Sequence, residues 1–212
     1  MSSAFYLIRK DFVLIKRMLL LFIPYYMIMG YTVMDQYTMF TLFPAMLLLI
    51  NGCTLDVQQN NQRFLVSLPL QRQDIVRAKY LALFPYALLS FCCTLVLYAA
   101  AFALGKIDTP PAWREIALML LLFLVLASLY LPLHYWLGQK GTQIVNFIFI
   151  MLIMLNVSAF NKLLEWFPAA GEWIATGSAD HVLPVILLIL ACMILIYASY
   201  LISSRIFIKK DI

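Results

Sequence analysis

Six long apolar runs, none of which contains Asp, Glu, Lys or Arg, are the feature that most constrains this sequence. A helix that rises 1.5 Å per residue needs about 20 apolar residues to cross a hydrocarbon core of about 30 Å. Because the runs are continuously apolar and do not alternate with period two, they favour helices over the strands of a membrane barrel. We therefore predict an all-α membrane protein with six transmembrane helices, at residues 18–34, 39–55, 80–104, 116–137, 144–160 and 182–202.

The composition excludes a soluble globular domain. Hydrophobic residues make up 65% of the 212 residues and charged residues only 12%, whereas soluble domains are about half apolar and about a quarter charged. A protein of this size has too few charged side chains to cover its surface in water. We expect residues 1–212 to form a single transmembrane domain.

The cations lie between the apolar runs and therefore predict the topology. With six spans, alternate loops share a side of the membrane, and twelve of the 15 Lys and Arg residues then fall on one side. The other side holds Lys106, Arg114 and Lys162. By the positive-inside rule, both termini and the loop at residues 56–79 are expected in the cytoplasm, and the loop at residues 161–181 outside. The net charge of +5 is therefore not a nucleic-acid signal, and no nucleic-acid partner is expected.

The sequence offers no means of catalysis or of energising transport. It lacks the GxxxxGK[ST] loop that binds nucleotide phosphates, and its four cysteines fall in apolar runs without a spacing that predicts a disulfide or a metal site. No catalytic constellation is present, so we expect a non-enzymatic chain without a cofactor of its own. Charge-free spans also argue against a self-sufficient secondary transporter, which usually needs ionisable groups near the midplane.

Three polar residues within the spans are interpreted as structural. His134 has no second metal ligand nearby, so a histidine satisfied between helices or at the interface is favoured over a metal or proton site. Asn146 and Asn156 do not share one helix face closely. For both, hydrogen bonding between helices is favoured over substrate contact.

The N-terminal segment, residues 2–17, is predicted to be an imperfect amphipathic helix that lies along the inner membrane interface in contact with lipid. Apolar and basic side chains occupy neighbouring faces of this helix at 100° per residue. Its principal residues are Phe5, Ile8, Arg9, Lys10, Phe12, Lys16 and Arg17.

The cytoplasmic loop at residues 56–79 is longer than a connection between adjacent helices requires. It reads DVQQNNQRFLVSLPLQRQDIVRAK, in which a short helix is expected to stop before SLPL and a new helix to restart at QRQDIVRAKYL. Its basic residues either follow the positive-inside rule alone or belong to an element that docks a partner.

The run SLPLQRQDIVRAKYL resembles the loop signature of small six-span ABC-2 type permeases, and YLIRKDF and SSRIFIKKDI resemble the termini of that family. Gln71 departs from the small capping residue that is common there. The resemblance implies a multi-pass subunit of the bacterial cytoplasmic membrane that dimerises with a second copy or a homologous permease. It also implies a partner, an ABC ATPase subunit, that binds ATP and Mg²⁺.

The same resemblance implies that the helix from Asp56 to about Leu65 is a coupling helix seated on the ATPase. The implied coupling residues are Asp56, Gln59, Asn60, Arg63, Phe64, Leu65, Pro69 and Arg72. The expected function is the permease half of an ATP-driven exporter for a hydrophobic or amphipathic substrate such as a peptide, antibiotic or lipid. A membrane scaffold or sensor that docks a soluble partner through this loop is the alternative, and a secondary transporter is less favoured.

Overall fold

The computed structural model describes residues 24, 38, 41–57, 72–106, 110–166 and 182–209. Within these residues the elements are all helices and no strand is present. The elements are α1 (Leu42–Val57), α2 (Arg72–Ala103), α3 (Trp113–Trp166) and α4 (Val182–Lys209). The predicted interfacial helix and, apart from the helical Pro24, the predicted first span lie outside the described residues.

The helices are long and apolar, as expected of a membrane protein. Three segments of the described chain have the length and composition to cross a bilayer: Gln73–Ala103, Trp113–Gly138 and Ile186–Ile208. Two further apolar helices, Leu42–Asp56 and Gly141–Ile153, are shorter. The prediction of an all-helical membrane protein is thereby confirmed, whereas six spans and cytoplasmic termini stay predictions.

Helix α3 is a hairpin and not a straight rod. Its backbone leaves the helical conformation at Gly138, with φ 64° and ψ −156°, a combination that in practice only glycine adopts. The rings of Tyr130 and Phe149 lie 5.2 Å apart, although the 19 residues between them would span about 28 Å along a continuous helix. The chain therefore folds back at Gly138. We call residues 113–137 α3a and residues 139–166 α3b.

Two details complete this turn. The Thr142 hydroxyl donates a hydrogen bond of 2.6 Å to the carbonyl oxygen of Gly138. A Cβ atom placed on Gly141 would lie 2.4 Å from Leu137 Cβ, so the two helices approach each other too closely there for any side chain. The turn thus requires glycine at one position for its backbone angles and at another for space.

Helix α1 is largely buried within the described bundle. It packs against both α2 and α3, and most of its side chains are buried. The core includes Met46 and Leu49 of α1, Tyr86 of α2, and Phe123 and Tyr130 of α3. Because lipid is as apolar as these side chains, close packing and interior hydrogen bonds, more than exclusion of water, hold such helices together.

Helix α4 is peripheral and exposes large apolar side chains. These are Ile186, Leu187, Ile189, Leu190, Met193, Ile194, Tyr197, Leu201, Ile202 and Ile208. In water such a face would be insoluble, so its exposure fits contact with lipid.

Two exposed tryptophans lie near the two ends of the bundle. Trp113 and Trp136 lie at opposite ends of α3a, and the 23 residues between them correspond to about 35 Å of helix. Tryptophan concentrates at the two membrane interfaces, which are separated by a comparable distance. We call the end at which α1 ends, α2 begins and α3 turns the loop end.

Candidate functional site at the loop end

A buried ion pair joins α1 to α2 at the loop end. Lys79 Nζ lies 2.6 Å from Asp56 Oδ2, and the two side chains are only 5% and 17% exposed. Asp56 lies in the last turn of α1, and Lys79 follows the start of α2 by two turns. A surface pair nearby, Arg77 with Asp74, is longer at 3.9 Å, and its Arg77 side chain is 62% exposed.

The ion pair closes the base of the predicted coupling loop. Segment 58–71 connects the end of α1 to the start of α2, and the pair joins these two helices next to that segment. Helix α1 runs through Val57, two residues beyond the predicted end of its span, so Asp56 belongs to α1 and its carboxylate binds Lys79. The two ends of the loop are therefore held together by opposite charges within the bundle.

Tyr80, the next residue of α2, links this helix to α4. Its hydroxyl lies 2.6 Å from Ser199 Oγ and 2.9 Å from Ser203 Oγ. Ser199 Oγ donates its proton to the carbonyl oxygen of Ser128 in α3a, at 2.6 Å. Since a serine has one hydroxyl proton, Tyr80 must donate to Ser199 and accept from Ser203. This chain of hydroxyls fixes α2, α3a and α4 to one another.

Asn146 links α1 to both halves of the α3 hairpin. Its Oδ1 accepts a hydrogen bond of 2.7 Å from the Tyr130 hydroxyl, and its Nδ2 donates one of 2.9 Å to Thr54 Oγ1. Thr54 in turn donates to the carbonyl oxygen of Ile50 within α1. The predicted role of Asn146 in bonding between helices is confirmed, whereas the side chain of Asn156 lies outside the described residues.

His134 packs inside the hairpin as an aromatic side chain. It is buried, stacks on Tyr130 with ring centroids 5.7 Å apart, and contacts the edge of Tyr135. Its Nδ1 lies 3.4 Å from Thr142 Oγ1. The prediction that His134 is satisfied between helices is therefore confirmed. Over the described ranges, no group of three His, Cys, Asp or Glu residues is close enough to hold a metal ion.

The opposite end of the bundle carries a second polar contact between α1 and α2. Thr41, directly before α1, lies with its hydroxyl 2.9 Å from that of Thr94, and its carbonyl oxygen accepts a short hydrogen bond from Ser90. All three residues are buried. Helices α1 and α2 are thus joined at both ends of α1, by hydroxyls at its start and by charges at its end.

The structure places only part of the predicted coupling set. Asp56 lies in the last turn of α1, which ends at Val57, and Arg72 begins α2. The other predicted coupling residues, and all the residues named for the interfacial helix, lie outside the described residues: Gln59, Asn60, Arg63, Phe64, Leu65, Pro69, Phe5, Ile8, Arg9, Lys10, Phe12, Lys16 and Arg17.

Sequence reasoning missed Lys79 and Tyr80 as members of this site. Lys79 was counted only as a cation of the loop, although Asp56 directly follows one predicted span and Lys79 directly precedes the next. When two successive spans pack as antiparallel helices, the residue directly after the first and the residue directly before the second lie at the same depth in the membrane. That signal could have indicated the ion pair.

Together, the apolar helices, the interior hydrogen bonds and the ion pair at the loop end define a multi-pass helical membrane protein. The sequence profile of the family described as ABC-2 family transporter protein matches residues 6–208, and the chain belongs to this family. The family is that of a membrane transport component, whose members normally work with an ATPase subunit. No curated protein and no solved structure matches the chain.

Proposed function

We propose that this chain is the membrane-spanning permease subunit of an ATP-driven ABC exporter in the bacterial cytoplasmic membrane. Two permease subunits, identical or homologous, form the translocation path and associate with separate ATPase subunits. The observation that carries the proposal is the Asp56–Lys79 ion pair, because it makes segment 58–71 a loop with a fixed base on the bundle. A loop with a fixed base is suited to receive a partner and to transmit its motion.

The division of labour between subunits follows from the chemistry of the chain. The sequence contains no phosphate-binding loop and no charged residue in its predicted spans. The energy for transport therefore has to come from a partner that binds ATP and Mg²⁺. A partner shifts a conformational equilibrium only through contacts that differ between the two states.

Arg63, Phe64 and Leu65 are proposed as the principal contact with the ATPase subunit. They combine a cation with two apolar side chains near the middle of segment 58–71. An apolar anchor beside a positive charge suits a groove in a soluble partner. Asp56, Gln59, Asn60, Pro69 and Arg72 complete the proposed coupling loop.

The proposed substrate is hydrophobic or amphipathic, such as a peptide, a lipid-linked molecule or an antibiotic. A strongly charged cargo would need opposite charges along its path, and the predicted spans contain none. Stimulation of ATP hydrolysis by amphipathic peptides or lipids, and not by a small hydrophilic solute, would support this class.

Purification of the tagged chain from native membranes in mild detergent tests the function. We expect a P-loop ATPase to copurify in a fixed ratio, and the complex to hydrolyse ATP. Recovery of a different soluble protein would favour a scaffold or sensor. Transport by vesicles that contain this chain alone and depend on a proton gradient would establish a secondary transporter.

A further inference from the structure

Lys79 and Tyr80 are consecutive residues of α2, and each holds a different helix at the loop end. Lys79 binds Asp56 of α1, and the Tyr80 hydroxyl bonds to Ser199 and Ser203 of α4. Successive residues of a helix point about 100° apart, so one turn of α2 reaches two neighbours at the same level. This turn lies close to the segment that we propose as the coupling loop.

The contacts of Tyr80 extend to a third helix. Ser199 donates to the backbone of Ser128 in α3a, so a displacement of Tyr80 acts on α4 and α3a together. The rings of Tyr80 and Tyr200 also pack nearly perpendicular to each other, with centroids 5.5 Å apart. Polar and aromatic contacts therefore hold the first turns of α2 to the end of α4.

The contacts at the opposite end of the bundle explain why α1 and α2 would move as a pair. The hydroxyls of Thr41 and Thr94 join these helices there, while the ion pair joins them at the loop end. Because α1 is joined to α2 at both of its ends, the two helices resist sliding against each other. A force on the loop is then passed on to α4 through Tyr80.

We propose that Lys79 and Tyr80 form a clamp that transmits displacement of segment 58–71 to α4. The clamp rests on the proposed function, because the partner that displaces the loop is the ATPase subunit. Lys79 and Tyr80 are positioning residues: Lys79 holds the two loop ends together, and Tyr80 couples them to α4.

A fluorescent reporter on α4 tests the clamp in the complex purified with its ATPase. Tyr197 is exposed and lies two residues before Ser199. In a background in which Cys53, Cys92, Cys93 and Cys192 are replaced, Tyr197→Cys is labelled with bimane and the complex is placed in lipid nanodiscs. Emission is compared before and after addition of ATP, Mg²⁺ and orthovanadate, and ATP hydrolysis is measured in parallel.

We expect the nucleotide to shift bimane emission in the parent complex, and Tyr80→Phe to abolish the shift. Tyr98→Phe is the matched control, since it removes a hydroxyl from the same helix near the opposite end, and it should keep the shift. The apolar pair Asp56→Leu with Lys79→Met should also lose the shift without leaving a buried charge unpaired. The charge exchange Asp56→Lys with Lys79→Asp should show the shift of the parent complex, because it keeps an ion pair at these two positions.

Melting temperatures separate transmission from a merely structural role. If the Tyr80→Phe complex melts at the same temperature as the parent and keeps the full shift of bimane emission, the clamp is overturned. It is also overturned if Tyr98→Phe loses the shift to the same extent as Tyr80→Phe. A parent complex whose emission does not respond to nucleotide would overturn it too. Failure of any ATPase to copurify would instead overturn the proposed function, and the clamp with it.

Discussion

Lys79 shows how strongly a single residue depends on its partner inside a helical bundle. Moving a charge out of water costs several kcal/mol, which a close partner and further hydrogen bonds must offset. Asp56 supplies that partner at 2.6 Å. Each member of the pair therefore makes the burial of the other tolerable.

Replacing Lys79 with Ala is expected to lower the free energy of unfolding by about 3–5 kcal/mol, because the Asp56 carboxylate, which is only 17% exposed, would lose its opposite charge. Unfolding in a fixed detergent, followed by circular dichroism, measures the change. Arg77→Ala is the control, and it should cost at most about 1 kcal/mol because the pair with Asp74 is largely exposed. Equal losses in the two variants would contradict the importance of burial.

At the scale of elements, the α3 hairpin changes direction with almost no loop. The helix resumes directly after Gly138, and the Thr142 hydroxyl donates a hydrogen bond to the Gly138 carbonyl oxygen. Tyr130, His134 and Phe149 then pack across the two halves. The close approach at Gly141 makes this geometry sensitive to one added methyl group.

Gly141→Ala is expected to destabilise the hairpin, since the new Cβ would lie 2.4 Å from Leu137 Cβ and the backbone would have to shift. Gly105→Ala is a matched control. Gly105, unlike Gly141, has a positive φ of 64°, but it has open space around it, so the cost of Ala there is limited to the left-handed conformation, about 1–2 kcal/mol. Thermal unfolding in detergent compares them, and a larger loss in Gly105→Ala would contradict the steric argument.

The coupling loop is the second element that invites a test. Joint substitution of Arg63 and Phe64 with Ala is expected to uncouple ATP hydrolysis from transport while membrane insertion stays intact, because the proposed contact with the ATPase is lost. Substrate-stimulated ATPase activity of the purified complex measures this effect, with Arg77→Ala as the control cation. Unchanged stimulation would refute the assignment of these two residues.

The apolar runs predicted the described helices well because their lengths follow from the thickness of the bilayer. The predicted span at 116–137 corresponds to Trp113–Gly138, and the restart at QRQDIVRAKYL corresponds to the start of α2 at Arg72. The site was harder to predict. Tyr80 and Ser199 are 119 residues apart, and only the packing of α4 against α2 brings their hydroxyls together.

At the scale of the whole molecule, the interior and the exterior of the described bundle differ in chemistry. Hydrogen bonds and the ion pair lie between helices, whereas α4 exposes one apolar side chain after another. The core is apolar, as it is in a soluble protein, but the apolar exterior differs from that of a soluble protein and suits a solvent that offers no hydrogen bonds. The charge distribution also predicts that the loop end lies on the cytoplasmic side of the membrane, which stays a prediction.

Labelling with a membrane-impermeant maleimide tests that topology in a cysteine-free background. Lys106→Cys should react in intact cells, because Lys106 is exposed just beyond α2 at the end predicted to be external. Gln73→Cys, exposed at the start of the same helix, should react only after the cells are permeabilised. The opposite pattern would invert the predicted orientation.

The ion pair also has a consequence for biogenesis. Orientation in a membrane is decided as the chain is inserted, when positive charges flanking each span are held back on the cytoplasmic side. In the predicted topology Lys79 is one of those charges before the helices pack, and in the assembled bundle its charge is matched by that of Asp56. The predicted orientation therefore gives a single lysine two successive functions, first as a topogenic signal for the nascent chain and then as part of a neutral ion pair in the folded bundle.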